Sequence, residues 1–165
     1  MKKNKVIEKL LKYRIEVYEY PSLDNGIYGT VYRLTIPFFP NIPQLSMFLS
    51  DDVGSGDWER ASGGYLESIK KAVEGKEFWG ESHSFGNIAS LSLFPDRSII
   101  ETLSHEGELV ELPTTELLKL IEVWNEENKK FRKDKDNYKS VEGEVKVTNI
   151  TYIEGHCNLS NDFAE

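Results

Sequence analysis

The architecture of this chain is indicated most clearly by residues 15–36, which read IEVYEYPSLDNGIYGTVYRLTI. Residues 15–20 alternate with a period of two and end at Pro21, which is typical of a β-strand. Every second residue of 28–36 again falls on one face of a longer strand. Between the two strands, residues 25–26 are Asn-Gly, which tolerates the positive φ angles of a tight hairpin turn. The segment therefore predicts an antiparallel β-hairpin.

A second β region is indicated by three short segments with strand periodicity. In residues 89–93 apolar side chains alternate with serines, and residues 99–103 and 108–112 follow after turns. These segments predict a three-stranded antiparallel meander. Residues 145–152 predict one more strand, in which a change of parity near Asn149 indicates a bulge.

Three other segments carry apolar residues at helical spacing. They run from about Lys3 to Tyr13, from about Gly64 to Glu74 with Gly75 as a cap, and from about Thr115 to Lys133 with Thr114 as the capping residue. Strands and helices together predict an α+β fold. We expect a mainly antiparallel sheet of five or six strands, with two or three helices packed on one face.

Length and composition limit the classes of protein to which the chain can belong. Its 165 residues, 39% hydrophobic and 12% aromatic, are enough for one packed core. We therefore expect a single domain over residues 1–165, with a loosely ordered tail at 155–165. No run approaches the ~20 apolar residues of a membrane span, and the net charge of −8 argues against general binding to nucleic acid.

The cysteine and histidine content points to a reduced compartment and away from metal chemistry. A single cysteine, Cys157, excludes an internal disulfide framework and indicates a cytoplasmic protein. The three histidines lack the helical spacing of a zinc-binding motif. We therefore expect no cofactor and no metal.

The negative charge is concentrated in the middle of the chain. Residues 51–116 carry five Lys and Arg against fourteen Asp and Glu, a net charge of −9, whereas residues 1–50 carry seven against four, or +3. An acidic surface of this kind is either a solvated face or a docking face for a basic protein. Aromatic rings beside it either cover the edge of the core or serve as binding anchors. The predicted partner-binding residues are Asp51, Asp52, Asp57, Trp58, Glu59, Phe78 and Trp79.

Residues 108–126, which read ELVELPTTELLKLIEVWNE, resemble a recurring element of bacterial immunity proteins. In that element a strand ending in Leu-Pro-Thr leads into an amphipathic helix with a tryptophan about ten residues on. Such proteins are the cognate inhibitors of contact-dependent inhibition and other polymorphic toxin systems. The resemblance implies a cytoplasmic protein that is not an enzyme and that binds a toxin domain and occludes its active site.

The acidic surface favours a basic, nuclease-type toxin as the partner, with no direct contact to nucleic acid or membrane. The alternative function is that of a small cytoplasmic hydrolase. Its site would use His83 or His105 together with a nearby carboxylate.

Overall fold

The computed structural model describes residues 3–24, 27–35, 42–49, 59–76, 89–102 and 109–153. These residues form an α+β arrangement, as the sequence predicts. In chain order the elements are β1 (Lys3–Asp24), β2 (Ile27–Thr35), α1 (Pro43–Met47), α2 (Glu59–Val73), β3 (Ala89–Leu93), β4 (Ser98–Thr102), β5 (Leu109–Leu112), α3 (Thr114–Lys133) and β6 (Val141–Ile153).

The described strands form one sheet in the order β2-β1-β6-β5-β4-β3, and all neighbouring strands are antiparallel. The predicted hairpin is confirmed, because Asp24 pairs with Ile27 and Glu16 pairs with Thr35. The predicted meander is confirmed as β3, β4 and β5. Strand β1 joins the two parts of the sheet, since residues 16–24 pair with β2 and residues 3–15 pair with β6.

The helix predicted at Lys3 to Tyr13 is wrong, because these residues belong to the 22-residue strand β1. The apolar residues in this segment fit a helical stripe, but its last part also fits the alternation of a strand, through Leu11, Tyr13 and Ile15. Pairing with β6 selects the strand, with Lys3 opposite Ile153 at one end and Ile15 opposite Val141 at the other. A partner more than a hundred residues away thus overrides the local helical preference.

The predicted change of parity in β6 lies at Asn149, which has a φ of +52°. The ladder pairs Val6 with Ile150 and Glu8 with Thr148, and the register is the same on both sides. Ile7 and Asn149 lie between these pairs, so neither strand carries the extra residue that defines a bulge. Both strands instead exchange their buried and exposed faces at this position. The predicted one-sided bulge is therefore replaced by a break that the two strands share.

One face of the sheet, here called the inner face, is covered by helices. Helix α1 contacts β4 and β5, α3 contacts β6, and α2 packs on α3. A buried row crosses the inner face from Leu91 through Ile100 and Val110 to Tyr152. Trp124 of α3 is fully buried in the same cluster. Removing these side chains from water is the main source of stability for the fold.

Two of the three described helices, α2 and α3, lie close to their predicted positions, whereas α1 (Pro43–Met47) lies where no helix was predicted. Helix α2 begins at Glu59, five residues before the predicted start, and ends at Val73, two residues before the predicted cap Gly75, whose φ is +75°. Thr114 is not a capping residue, because α3 begins at Thr114 itself and shows no side-chain cap. Its buried hydroxyl instead donates to the Phe94 carbonyl and lies 2.9 Å from Ser98 Oγ. This contact joins the start of α3 to the β3–β4 turn.

Candidate docking surface

Most of the residues predicted to bind a partner lie outside the described part of the chain. Glu59 is the first residue of α2, and only its backbone is described. Asp51, Asp52, Asp57, Trp58, Phe78 and Trp79 lie outside the described residues, as do His83 and His105 of the alternative hydrolase site and the tail at 155–165.

Helix α2 separates the two segments that carry the predicted site. Trp58 comes immediately before its first residue, and Phe78 follows its last residue by five positions. A helix of 15 residues is about 22 Å long at 1.5 Å per residue. Trp58 and Phe78 therefore belong to segments that are joined to opposite ends of this helix, and a single surface that includes both must be formed by the two segments together.

The described residues offer a different surface, the side of the β1–β6 ladder that faces away from the helices, here called the outer face. Eleven of its described residues are exposed. They are Lys3, Lys5, Ile7, Glu8, Leu10, Lys12 and Arg14 of β1, and Glu142, Glu144, Lys146 and Asn149 of β6.

Half of the eight charged residues on the outer face form ion pairs with one another. Lys146 Nζ lies 2.9 Å from Glu8 Oε1, and Arg14 Nε lies 3.4 Å from Glu142 Oε1. Lys12 stands directly opposite Glu144 in the ladder. Exposed cross-strand pairs of this kind contribute roughly 0.2–1 kcal/mol each to stability. Their larger effect is to leave this part of the surface close to electrically neutral.

Two apolar side chains stand among these charges. Ile7 is 75% exposed and Leu10 is 54% exposed, and they are the large hydrophobic residues with the greatest exposure in the described part of the chain. Ile7 points outward because the two strands exchange faces at the break beside Asn149. The helix predicted over Lys3 to Tyr13 placed both side chains on its apolar, core-facing side. The sequence analysis therefore did not predict that they are exposed. The alternation of Leu11, Tyr13 and Ile15 could have placed Leu10 on the outward side of a strand, but it places Ile7 on the inward side.

Lys3 and Lys5 extend the outer face beyond Ile7, toward the end of the ladder. They stand opposite Ile153 and Thr151 of β6, two uncharged residues. Neither lysine forms an ion pair with any residue that the structure describes. This end of the outer face therefore carries an excess of positive charge, in a chain with a net charge of −8.

A separate polar cluster surrounds the nearly buried carboxylate of Glu127 at the end of α3. Tyr138 Oη donates to Glu127 Oε2 at 2.8 Å, and Lys130 Nζ donates to Oε1 at 3.0 Å. Burial and the hydrogen bond to Glu127 raise the pKa of Tyr138 far above its usual value, and burial also raises the pKa of Tyr13. Both carboxylate oxygens are thus occupied, and both phenols remain protonated at neutral pH.

The Glu127 cluster borders an open cleft of about 320 Å³, which is also lined by Asn137 and Val141. The ionisable groups of the cluster satisfy one another. Because Tyr138 donates to Glu127, the cluster also joins α3 to the segment before β6. Among the residues with a described position, no group of three or more His, Cys, Asp and Glu side chains could hold a metal ion. No described helix is long and apolar enough to cross a membrane.

Comparison with known proteins supports one functional class. No protein-family model and no solved structure matches the chain. The chain is similar to a Bacillus cereus protein named "Immunity protein", with 29% identity over 123 residues. The matched region covers 72% of this chain and 93% of that protein. The similarity supports an immunity function, and therefore a toxin as the partner in general terms.

Proposed function

We propose that this chain is a cytoplasmic immunity protein that binds one cognate toxin domain and neutralises it by occluding the active site. The similarity to an immunity protein, which extends over 93% of that relative, is the observation that carries the proposal. An inhibitor of this kind acts through a surface rather than through reacting groups. The Glu127 cluster fits this function, because its carboxylate is already occupied by Lys130 and Tyr138.

The toxin in this proposal is a basic, nuclease-type domain that belongs to a contact-dependent or other polymorphic toxin system. Enzymes that act on nucleic acid need a positively charged cleft. An acidic inhibitor meets such a cleft quickly, because complementary charges raise the association rate. The net charge of −9 over residues 51–116 supplies the complement.

The proposed contact is made by the acidic loop and the aromatic residues near it. The carboxylates of Asp51, Asp52, Asp57 and Glu59 pair with Arg and Lys of the toxin. Trp58 supplies buried area as an anchor, as tryptophan commonly does at the centre of an interface. Phe78 and Trp79 add apolar contact.

Co-expression with the toxin domain encoded immediately upstream tests this function. We expect the two proteins to purify as a complex, and we expect this chain to restore growth to cells that make the toxin. The combined change Trp58→Ala and Asp57→Lys should weaken binding by about 100-fold or more while the fold survives. Asp96→Lys, in the β3–β4 turn, is the control for a charge reversal elsewhere in the acidic region, and it should leave binding within a few-fold.

The outcomes separate the function from the choice of surface. If no complex forms and growth is not restored, the immunity function is wrong. If the complex survives charge reversal across residues 51–59, the immunity function stands and the proposed contact is in the wrong place.

A further inference from the structure

We propose that the outer face of β1 and β6 is a second docking surface for the same toxin, centred on Ile7 and Leu10. This inference rests on the proposed immunity function and extends it to the chemistry of the partner. The toxin segment that covers the outer face is apolar at its centre and carries carboxylates beside Lys3 and Lys5.

The exposure of Ile7 and Leu10 is the first observation that supports this docking surface. An antiparallel sheet with one solvated face normally places polar side chains on that face. Here Ile7 is 75% exposed and Leu10 is 54% exposed, although Leu10 pairs with Lys146 and Ile7 is flanked by the pairs of Val6 and Glu8 with β6. The two residues are three positions apart in β1, a separation of about 10 Å along the strand. One partner helix or strand is wide enough to cover both.

The pattern of charge around these residues defines the chemistry of the partner. Beside Leu10 the charges of Glu8 and Lys146 pair with each other at 2.9 Å, and beyond it Arg14 pairs with Glu142. A partner needs no matching charges there. At the other end, Lys3 and Lys5 have no ion pair with a described residue, so carboxylates of the partner complement them. The expected partner segment is therefore apolar and acidic, in contrast to the basic cleft proposed to meet the acidic loop.

The strand pairing on both sides of Ile7 and Leu10 makes this surface suited to binding. Ile7 and Leu10 lie between the paired positions Val6–Ile150 and Leu11–Val145, so the backbone that presents them is fixed before the partner arrives. A preformed site loses less conformational entropy on association than a flexible segment does. An anchor on a paired strand such as Leu10 is also placed more accurately than one on a loop.

The test measures the dissociation constant between the full chain and a catalytically inactive form of the toxin domain encoded upstream. Ile7→Glu combined with Leu10→Glu should weaken binding by about 100-fold or more, because two buried apolar contacts become buried charges. Ile7→Thr combined with Leu10→Thr keeps a high β-propensity and should weaken binding by about 10-fold. Circular dichroism and the melting temperature establish that each variant is folded.

The charge of the partner is tested by a matched pair of double reversals. Lys3→Glu with Lys5→Glu should weaken binding by about 10-fold at low salt, and by less at high salt. Lys129→Glu with Lys133→Glu, on the exposed side of α3, changes the net charge by the same amount and should leave binding within a few-fold. Tighter binding after the change at Lys3 and Lys5 would show that the partner is basic here and would overturn the inference.

Two other results would also overturn it. If both Ile7 and Leu10 variants bind as the native chain does, while the Trp58→Ala variant does not, the toxin contacts only the acidic loop and the immunity function stands. If sedimentation shows a native dimer that the Glu variants dissociate, the occupant of the outer face is a second copy of this chain. Failure of the native chain to bind the toxin at all would instead remove the proposed function itself.

Discussion

The inner and outer faces of the β1–β6 ladder share one backbone but differ in how they contribute to the fold. On the inner face Leu11, Ile15 and Ile150 are at most 3% exposed and pack into the core. On the outer face four charged residues pair across the strands, and Leu10 is more than half exposed. The inner face therefore determines stability, while the outer face is nearly neutral for folding. Substitutions in a single strand can separate stability from binding.

The largest expected difference is between two aliphatic truncations in β1. Ile15→Ala should lower the free energy of unfolding by about 2–5 kcal/mol, because it leaves a cavity in a fully buried position. Leu10→Ala should change it by about 0.5 kcal/mol or less, because that side chain already contacts water. Urea denaturation of both variants measures the difference. Equal losses would show that the outer face also supports the fold.

A substitution that adds atoms to the inner face should have a smaller effect. Gly143 stands opposite Tyr13, and a Cβ atom at position 143 would collide with the Tyr13 ring. Gly143→Ala should therefore cost about 1–3 kcal/mol of stability. Glu144→Ala, the neighbouring change on the outer face, is the control and should cost about 0.5 kcal/mol or less. A stable Gly143→Ala protein would mean that the ring moves aside without loss.

The smallest effect concerns the polar cluster at the end of α3, and it depends on pH. The Tyr138 phenol has a raised pKa in the folded protein, because it is partly buried and donates to Glu127. Its contribution is fully present below the unfolded tyrosine pKa of about 10, and it is lost as the pH rises further. Tyr138→Phe should cost about 1 kcal/mol at neutral pH.

Urea denaturation of the native chain and the Tyr138→Phe variant between pH 7 and 11 measures this effect. The difference in stability between the two proteins should be constant up to about pH 10 and should then shrink. A difference that stays constant at all pH values would show that Tyr138 has an ordinary pKa in the folded protein.

Local patterns predicted those parts of the fold whose partners are close in sequence. The hairpin, the meander and α3 each follow from short-range periodicity and turn residues, and each is present. The helix predicted from Lys3 to Tyr13 was wrong because the strand that pairs with this segment, β6, is more than a hundred residues away. The capping role predicted for Thr114 was wrong because its hydroxyl contacts the Phe94 carbonyl and the Ser98 hydroxyl, which lie in and beside the β3–β4 turn.

The candidate site was harder to predict than the fold, for a related reason. Charge and aromatic content are visible in sequence, so they directed attention to residues 51–59. Exposure is not visible in sequence, because it depends on which face of an element meets the core. Ile7 and Leu10 would be buried in a helix and are exposed in a strand. An error in one element therefore changed which surface could be recognised as a docking site.

The pairing of β1 with β6 also determines when the outer face can form during protein synthesis. Lys3 pairs with Ile153, and Ile15 pairs with Val141. These partners are synthesised 150 and 126 residues later. A ribosome that adds about 5–20 residues per second leaves residues 3–15 without a partner for roughly 6 to 30 seconds. Contacts between such distant segments also form slowly after synthesis. Since the outer face exists only once this ladder has closed, a newborn chain cannot present it until translation has reached β6.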